Sequence, residues 1–483
     1  MADIKEVSAH EVEAPKTAEV SAPDQLADFD PEYAAKVRHR IDWRLLTALG
    51  PMYAICLLDR SNLASAAIAG MTEDLDMVKG NGYNLTNMCF FITYILFQPL
   101  MVVVCRRMGP RWFLPLICFL WGCLLIGIGF VHDWQTMLGL RLIFGVLESG
   151  YFPGCLYLLS TWYTRFESAR RYSIFYLIGS CASGCSGILA YGLMQADGAG
   201  GLQGWRWIFI LEGLITVTLA MIAVVMMVKF PDEEMTKPSP KFLTKEELNF
   251  VTARLNADRA DVSLEPFAIK RFLEPATEWY IYGFPLLLML VTTLAYAFAF
   301  TLPTVLRSTL GFGLAESQCL TAPPYFFAAV FMYIAGWYSD KYHTRGPVLV
   351  TLALVSLAGL PIMGWAKNPW VRYFGVFVTV AGANSAIPSI MAYQGTNIRG
   401  QWRRAFCSAA LTAIGGIGGI IGSLIFRSQD APNYYPGFIA CIVACILVIV
   451  IVAIMSVYFH RCNKAADRGE RILLGDPNFR FTL

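Results

Sequence analysis

From Phe438 to Tyr458 the chain runs for 21 residues without a charged side chain. A helix of about 20 apolar residues covers the hydrocarbon core of a bilayer. Comparable stretches begin near Arg44, Asn84, Trp112, Trp134, Arg170 and Trp205, and again near Trp279, Ser317, Pro347, Pro369, Arg403 and Pro436. Backbone groups in lipid must be satisfied internally, which favours helices for such segments. The expected fold class is therefore an all-α membrane protein, with twelve transmembrane helices in two six-helix bundles. Composition agrees: 56% of the 483 residues are apolar and 15% charged, against about a quarter charged in soluble domains.

The chain divides accordingly. Residues 1–43 are polar and begin acidic, so they read as a disordered tail. Bundles are expected over 44–228 and 278–460, with a linker at 229–277 and a second tail at 461–483. The linker carries Pro231, Pro238, Pro240, Pro266 and Pro275, and Thr244-Lys245-Glu246-Glu247 has the spacing of a helix capping box. Of 38 Lys and Arg, 30 fall in the tails and even-numbered loops and six in the odd-numbered loops. The positive-inside rule then places both tails and the linker in the cytosol. One glycosylation sequon, Asn84-Leu85-Thr86, abuts the second span on the other side.

Charges inside spans are costly and need a reason. Asp59 and Arg60 lie in span one, and adjacent helix positions diverge by about 100°, so each should seek a partner elsewhere. Asn62 shares the face of Asp59. Arg141 and Glu148, seven residues apart in span four, should line one surface. A guanidinium keeps its proton and captures a carboxylate bidentately. A carboxylate in a low-dielectric cavity binds protons more readily, so Glu148 could exchange one near neutral pH. A charge network that only holds the bundle together is the alternative. Glu212 reads as a structural partner of Arg206. Asn384, Gln394 and Asn397, around span ten, suit either a substrate contact or an interhelical hydrogen bond. Gly179, Ser183 and Gly187 in span five, and Gly415, Gly416, Gly418, Gly419 and Gly422 in span eleven, read as close helix packing.

Function classes drop out for lack of motifs. No P-loop, H-E-x-x-H or strand-borne glycine fingerprint occurs, so neither an enzyme nor any cofactor or metal is expected. The net charge of +3 is not gathered into a basic tract, which argues against a nucleic-acid partner. The 13 cysteines lie mostly in apolar stretches and imply no disulfide framework.

The two halves echo each other. Arg106-Arg107-Met108-Gly109-Pro110-Arg111 follows span two, and Gly336-Trp337-Tyr338-Ser339-Asp340-Lys341 with Arg345-Gly346-Pro347 follows span eight. Such parallel repeats place a substrate site between the halves. These paired turns, with Arg141-x-x-x-Gly145 and Pro153 in span four, resemble the major facilitator superfamily. The first turn has Cys105 where the family carries an acid. Asp59-Arg60-Ser61-Asn62 and Gly204–Gly213 resemble its anion:cation symporter family, and more narrowly the fungal allantoate permease branch with its nicotinate and vitamin transporters. Arg427-Ser428-Gln429-Asp430-Ala431-Pro432 with Tyr434 and Gly437 is similar to that branch too. The likeness covers about Asp42 to Phe459. A departure follows Arg399-Gly400-Gln401-Trp402-Arg403-Arg404, where relatives carry an Asn deeper in the helix and this chain has glycines.

The resemblance implies that Arg60 and Arg141 bind an organic anion and that Asp59 and Glu148 are protonated in turn. Asn62, Asn384 and Gln394 are the further substrate candidates. Arg107, Gly109, Arg111, Gly336, Asp340 and Arg345 form the turn motifs. The expected activity is proton-coupled symport of a small organic carboxylate by a monomer, most simply in the plasma membrane. Export of an anionic metabolite, or nutrient sensing without transport, are the alternatives.

Overall fold

The computed structural model describes residues 31–77, 82–164, 167–239, 242–259, 269–310, 319–426, 434–470, 472–474 and 477–483. The first bundle comprises α1 (Pro31–Ala66), α2 (Gly82–Met108), α3 (Pro110–Ile128), α4 (Trp134–Glu148) continued by α5 (Tyr151–Trp162), α6 (Ser168–Met194) and α7 (Gly204–Met226). The linker contributes α8 (Pro231–Thr236), α9 (Lys245–Arg259) and α10 (Ile269–Leu273). The second bundle comprises α11 (Gly283–Leu310), α12 (Ala322–Lys341), α13 (Gly346–Trp365), α14 (Pro369–Asn397), α15 (Gln401–Ile425) and α16 (Tyr435–Asp467).

Eleven of these spans, counting α4 with α5 as one, have the length and hydropathy to cross a membrane among the described residues. The remaining long helix, α12, has 20 residues, and Pro323, Pro324, Tyr325, Tyr333, Trp337 and Tyr338 dilute its hydropathy. Local chemistry sets the starts. Asp133 accepts the amide of Thr136 at 2.7 Å ahead of α4, and Asn368 accepts that of Trp370 at 2.9 Å ahead of α14. Proline stands in the first turn of α3, α12, α13, α14 and α16.

The surface is apolar where a soluble protein's is polar. Ile439, Val443, Ile446, Val450, Ile454 and Val457 form an exposed stripe along α16, three or four residues apart. Such a face is stable against lipid tails. Within the first bundle α3 packs on α7, α1 on α6 and α2 on α4; within the second, α11 packs on α15 and α13 on α14. The halves meet where α6 packs on α12 and α2 on α15. Glycine permits the tightest approaches. A Cβ on Gly145 would meet the hydroxyl of Thr93 and lie 2.5 Å from the carbonyl of Phe90, so the Arg141-x-x-x-Gly145 spacing seats α4 directly on α2.

Two boundaries differ from the sequence expectation. Helix α1 begins at Pro31, inside the stretch assigned to the first tail; residues 1–30 lie outside the described residues. Val37 and Ile41, four apart on one face, are buried. Arg40 there donates to both oxygens of Glu247 in α9 at 2.8 and 2.9 Å. At the other end α16 runs to Asp467, and the chain then folds back. Asn463 and Phe481 exchange hydrogen bonds at 2.8 Å, as do Asn397 and Thr482 at 2.8 and 3.2 Å. The linker is also docked. Thr244 and Glu247 form the reciprocal capping box at 2.8 and 3.3 Å, and Arg254 of α9 pairs with Glu167 at 3.1 Å. The sequon lies in the first turn of α2, where Thr86 is buried and donates to the carbonyl of Gly82 at 2.7 Å.

Candidate functional site

A small space of about 40 Å³ lies between the bundles. It is lined by Tyr53, Arg60, Phe91, Tyr94 and Tyr176 from the first half, and by Thr292, Tyr296, Met391, Gly415 and Gly416 from the second. That volume holds a few water molecules at most. The site is contracted, and an organic molecule would need the halves to part.

Arg60 is the cation on its wall. Its Nε donates to Oε1 of Glu148 on α4, and its Nη1 donates to the hydroxyl of Tyr296 on α11 at 2.9 Å. Its guanidinium lies 4.5 Å from the ring centre of Tyr94. Glu148 is fully buried and also accepts from the thiol of Cys56 at 2.9 Å. One carboxylate thus ties α1 to α4, and one guanidinium ties the first half to the second.

Asp59 turns the other way, as expected for neighbours on a helix. It accepts from the indole of Trp121 at 3.0 Å and lies 3.2 Å from the hydroxyl of Thr216 on α7. Arg141 sits behind the cavity rather than on its wall. Its guanidinium stands over Phe144 and Phe209 at 5.5 and 5.7 Å, and it interacts electrostatically with Asp59 and Glu212. Arg141 and Glu148 therefore occupy one helix face but different surroundings, because two turns separate them along the axis. Glu212 is not the partner of Arg206. Arg206 pairs with Asp74 at 2.9 Å and donates to the carbonyls of Gly129 and Val131. Six residues put Glu212 on a different side of α7, facing inward.

The other polar candidates divide by role. Asn62 is buried, and both its amide atoms are without a hydrogen bond among the described residues. Asn384 donates to Val380 of its own helix at 3.1 Å, and Gln394 to the carbonyl of Cys407 on α15 at 3.0 Å. None of the three lines the cavity. Tyr94, Trp121 and Tyr296 went unrecognised in the sequence, where an aromatic residue in a span carries no mark of its contacts.

The turn motifs act at the face that carries the linker. Asp340 accepts the amides of Ala169 and Arg170 at 3.3 and 2.8 Å, at the N-terminus of α6. Arg345, fully buried, holds the same carboxylate at 2.9 Å and donates to Ser339 at 2.7 Å. Gly336 lets α12 press on α6, since a Cβ there would meet the hydroxyl of Ser173. In the first half Cys105 cannot play the acid's part, and the linker supplies one. Asp232 pairs with Arg106 at 3.0 Å, Arg111 donates to Ser239 at 3.3 Å, and Glu233 lies against Gly109. Gly109 has φ +84°, a turn that favours glycine. Arg107 is exposed. Arg404, at the start of α15, instead donates to the carbonyl of Ser160 at the end of α5 at 3.1 Å.

Two helical bundles around a central charged cavity, with locks at one face, define a multi-pass membrane transporter. The chain belongs to the Major Facilitator Superfamily, whose family model matches residues 49–423. It is 32% identical to the MFS-type transporter cnsO of Penicillium expansum over 83% of this chain and 79% of that one. It is 25% identical to the high-affinity nicotinic acid transporter of Saccharomyces cerevisiae, over 83% and 73%. Among solved structures, the proton:xylose symporter XylE superposes with TM-score 0.69 at 14% identity, covering 86% of this chain and 95% of XylE. The human organic anion transporter MFSD10 gives 0.62 at 14%, covering 85% and 99%.

Proposed function

We propose that the chain carries a small organic anion together with protons, by alternating access, as the anion:cation symporters and their allantoate permease branch do. The observation behind this reading is the engagement of Arg60, on the wall of the cavity, by Glu148. A guanidinium bound to a carboxylate is a site already shaped for one. When Glu148 takes up a proton it ceases to be an anion, and Arg60 is released to the carboxylate of a substrate. Loss of that proton on the far side restores the Arg60–Glu148 pair and expels the cargo. Proton and anion therefore travel together, since either alone leaves a charge unmatched in a low-dielectric interior.

The aromatic walls, Tyr53, Phe91, Tyr94 and Tyr296 among them, suit an anion with a flat or apolar body. The nicotinic acid transporter among its relatives is in keeping with that choice. Asp59 is the second proton-exchanging group, and the chain works as a monomer in the plasma membrane, linker and both tails in the cytosol. The test is uptake of labelled nicotinate, allantoate, pantothenate and biotin by cells expressing the protein, at acid and neutral external pH. Accumulation of one compound, greater at acid pH and abolished by a protonophore, is expected. Net efflux of a preloaded compound without uptake would reverse the direction, and no movement of any of them would defeat the reading.

A further inference from the structure

Gln98, on α2, is fully buried, and neither polar atom of its amide has a hydrogen-bond partner among the described residues. Its direction follows from the helix. At about 100° per residue it points within about 40° of Phe91 and Tyr94, seven and four positions earlier, and both of those line the cavity. Across the interface, a Cβ on Gly419 would lie 3.0 Å from Phe91, and one on Gly416 would lie 3.0 Å from Ile95. Helices α2 and α15 therefore run antiparallel in a register that brings Gln98 level with Thr412 and Ala413. Thr412, also on the cavity wall, gives its hydroxyl to the carbonyl of Ser408 in its own helix at 3.0 Å. The next residue of α2 is Pro99, which has no amide hydrogen to give to the carbonyl of Ile95. A donor and two acceptors thus stand within one turn of α2, just beyond Tyr94 on the way to the linker face.

A buried primary amide without partners is costly, and the cost is recovered in any state that supplies them. The cavity beside it is contracted here. When the halves part, α2 leaves α15 and Gln98 is uncovered on the widened wall. Resting on the symport reading of the Arg60 site, we propose that Gln98 is a second contact for the cargo, and that the cargo is a carboxylate whose body carries an amide or ureido group. A primary amide both donates and accepts, so a group with an N–H beside a C=O meets it in two reciprocal hydrogen bonds. The carbonyl of Ile95 receives a further N–H, which a ureido group has to spare. The guanidinium of Arg60 stands 4.5 Å from the ring centre of Tyr94, and Gln98 is one helical turn, about 6 Å, further along α2. One small molecule spans the two. An anion without the neutral group leaves the amide of Gln98 unpaired and is disfavoured for that reason.

Competition binding to the full chain in nanodiscs, at acid pH, tests it. Allantoate, pantothenate and biotin carry such a group; nicotinate and hexanoate do not. At least one of the first three should bind the wild type more tightly than either of the other two. Gln98→Leu removes the amide without adding bulk. It should weaken that compound by roughly 5–150-fold, the loss of two hydrogen bonds, and leave hexanoate within about twofold. Arg60→Gln should weaken all five, which separates capture of the anion from reading of its body. Undiminished binding of the preferred compound in Gln98→Leu, or an equal loss for all five, overturns the role of Gln98. So does a wild type that binds nicotinate or hexanoate better than the other three, and the Arg60 site then stands without Gln98. This wild-type comparison decides the matter alone if Gln98→Leu does not fold. No binding of any compound by the wild type, or undiminished binding in Arg60→Gln, refutes the anion site itself, and the role of Gln98 falls with it.

Discussion

Asp340, in the second half, accepts the backbone amide of Arg170, in the first, at 2.8 Å. The carboxylate meets the positive end of α6, and Arg345, 2.9 Å away, aims it there. Asp340→Asn keeps an acceptor but removes the charge, at a cost of about 0.3–2 kcal/mol. Amide hydrogens of residues 168–171 should then exchange faster, by about tenfold, in hydrogen–deuterium exchange of the full chain. Unchanged exchange would mean that the lock is held elsewhere.

Arg60→Gln should lose binding or uptake of whichever organic anion the uptake panel identifies by roughly 10–150-fold, the loss of one charge-assisted bond of about 1.5–3 kcal/mol. Arg60→Lys should recover part of it, because an ammonium supplies charge without the planar fork. In the wild type, binding should strengthen as pH falls, since a proton on Glu148 frees Arg60. Glu148→Gln should bind without that dependence. A Glu148→Gln protein that keeps the wild-type pH profile in a binding assay contradicts the coupling.

Gly418 packs α15 against α11 so closely that a Cβ would meet the carbonyl of Met289 and the hydroxyl of Thr292. Gly418→Ala should cost about 1–3 kcal/mol through overpacking. A lowered melting temperature in detergent is the readout, and an unshifted one would show that the helices separate cheaply there.

The carboxyl of Glu167, in the loop before α6, feels opposing influences. Burial pushes it up, and the guanidinium groups of Arg254, Arg38 and Arg171 more than reverse this, leaving it below the usual carboxylate range. A lowered folded value means that its contribution is complete above the ordinary glutamate range, near pH 4.3. It is lost only as pH falls through the folded value. Proteolysis of the linker helix should therefore stay flat from neutral pH down to about 4.5 and rise below. Glu167→Gln should raise it already at pH 7, by the equivalent of about 1.5–3 kcal/mol. A wild-type rate in that variant would remove Glu167 from the docking.

The spans and their grouping were legible because a bilayer imposes a length and a polarity that a local window of sequence records. Span starts read near Trp134, Trp205 and Pro369 fall at or within one residue of helices beginning at Trp134, Gly204 and Pro369. The capping box of Thr244 and Glu247 was legible for a similar reason, since its partners are three residues apart. Partnership across helices was not. Nothing near Arg60 in the sequence indicates Glu148, 88 positions on, or Tyr296, 236 positions on. Helical periodicity set Asp59 and Arg60 apart, yet it joined Arg141 to Glu148, and short spacing joined Glu212 to Arg206, because neither a shared face nor nearness in sequence says what stands opposite. Asp232 shows the same limit: the acid missing at Cys105 is supplied by a linker residue that no motif marks.

The linker helix α9 is bolted to the first half through Arg40, Glu167 and the edge contact of Phe250 with Tyr33, and α10 to the second through Phe272 on Phe406. Each is thus a handle on its own bundle, outside the bilayer. Spectroscopic labels on the exposed residues Asn249 and Lys270 would make the linker a ruler, reading the swing of the halves without a probe in the cavity or the lipid.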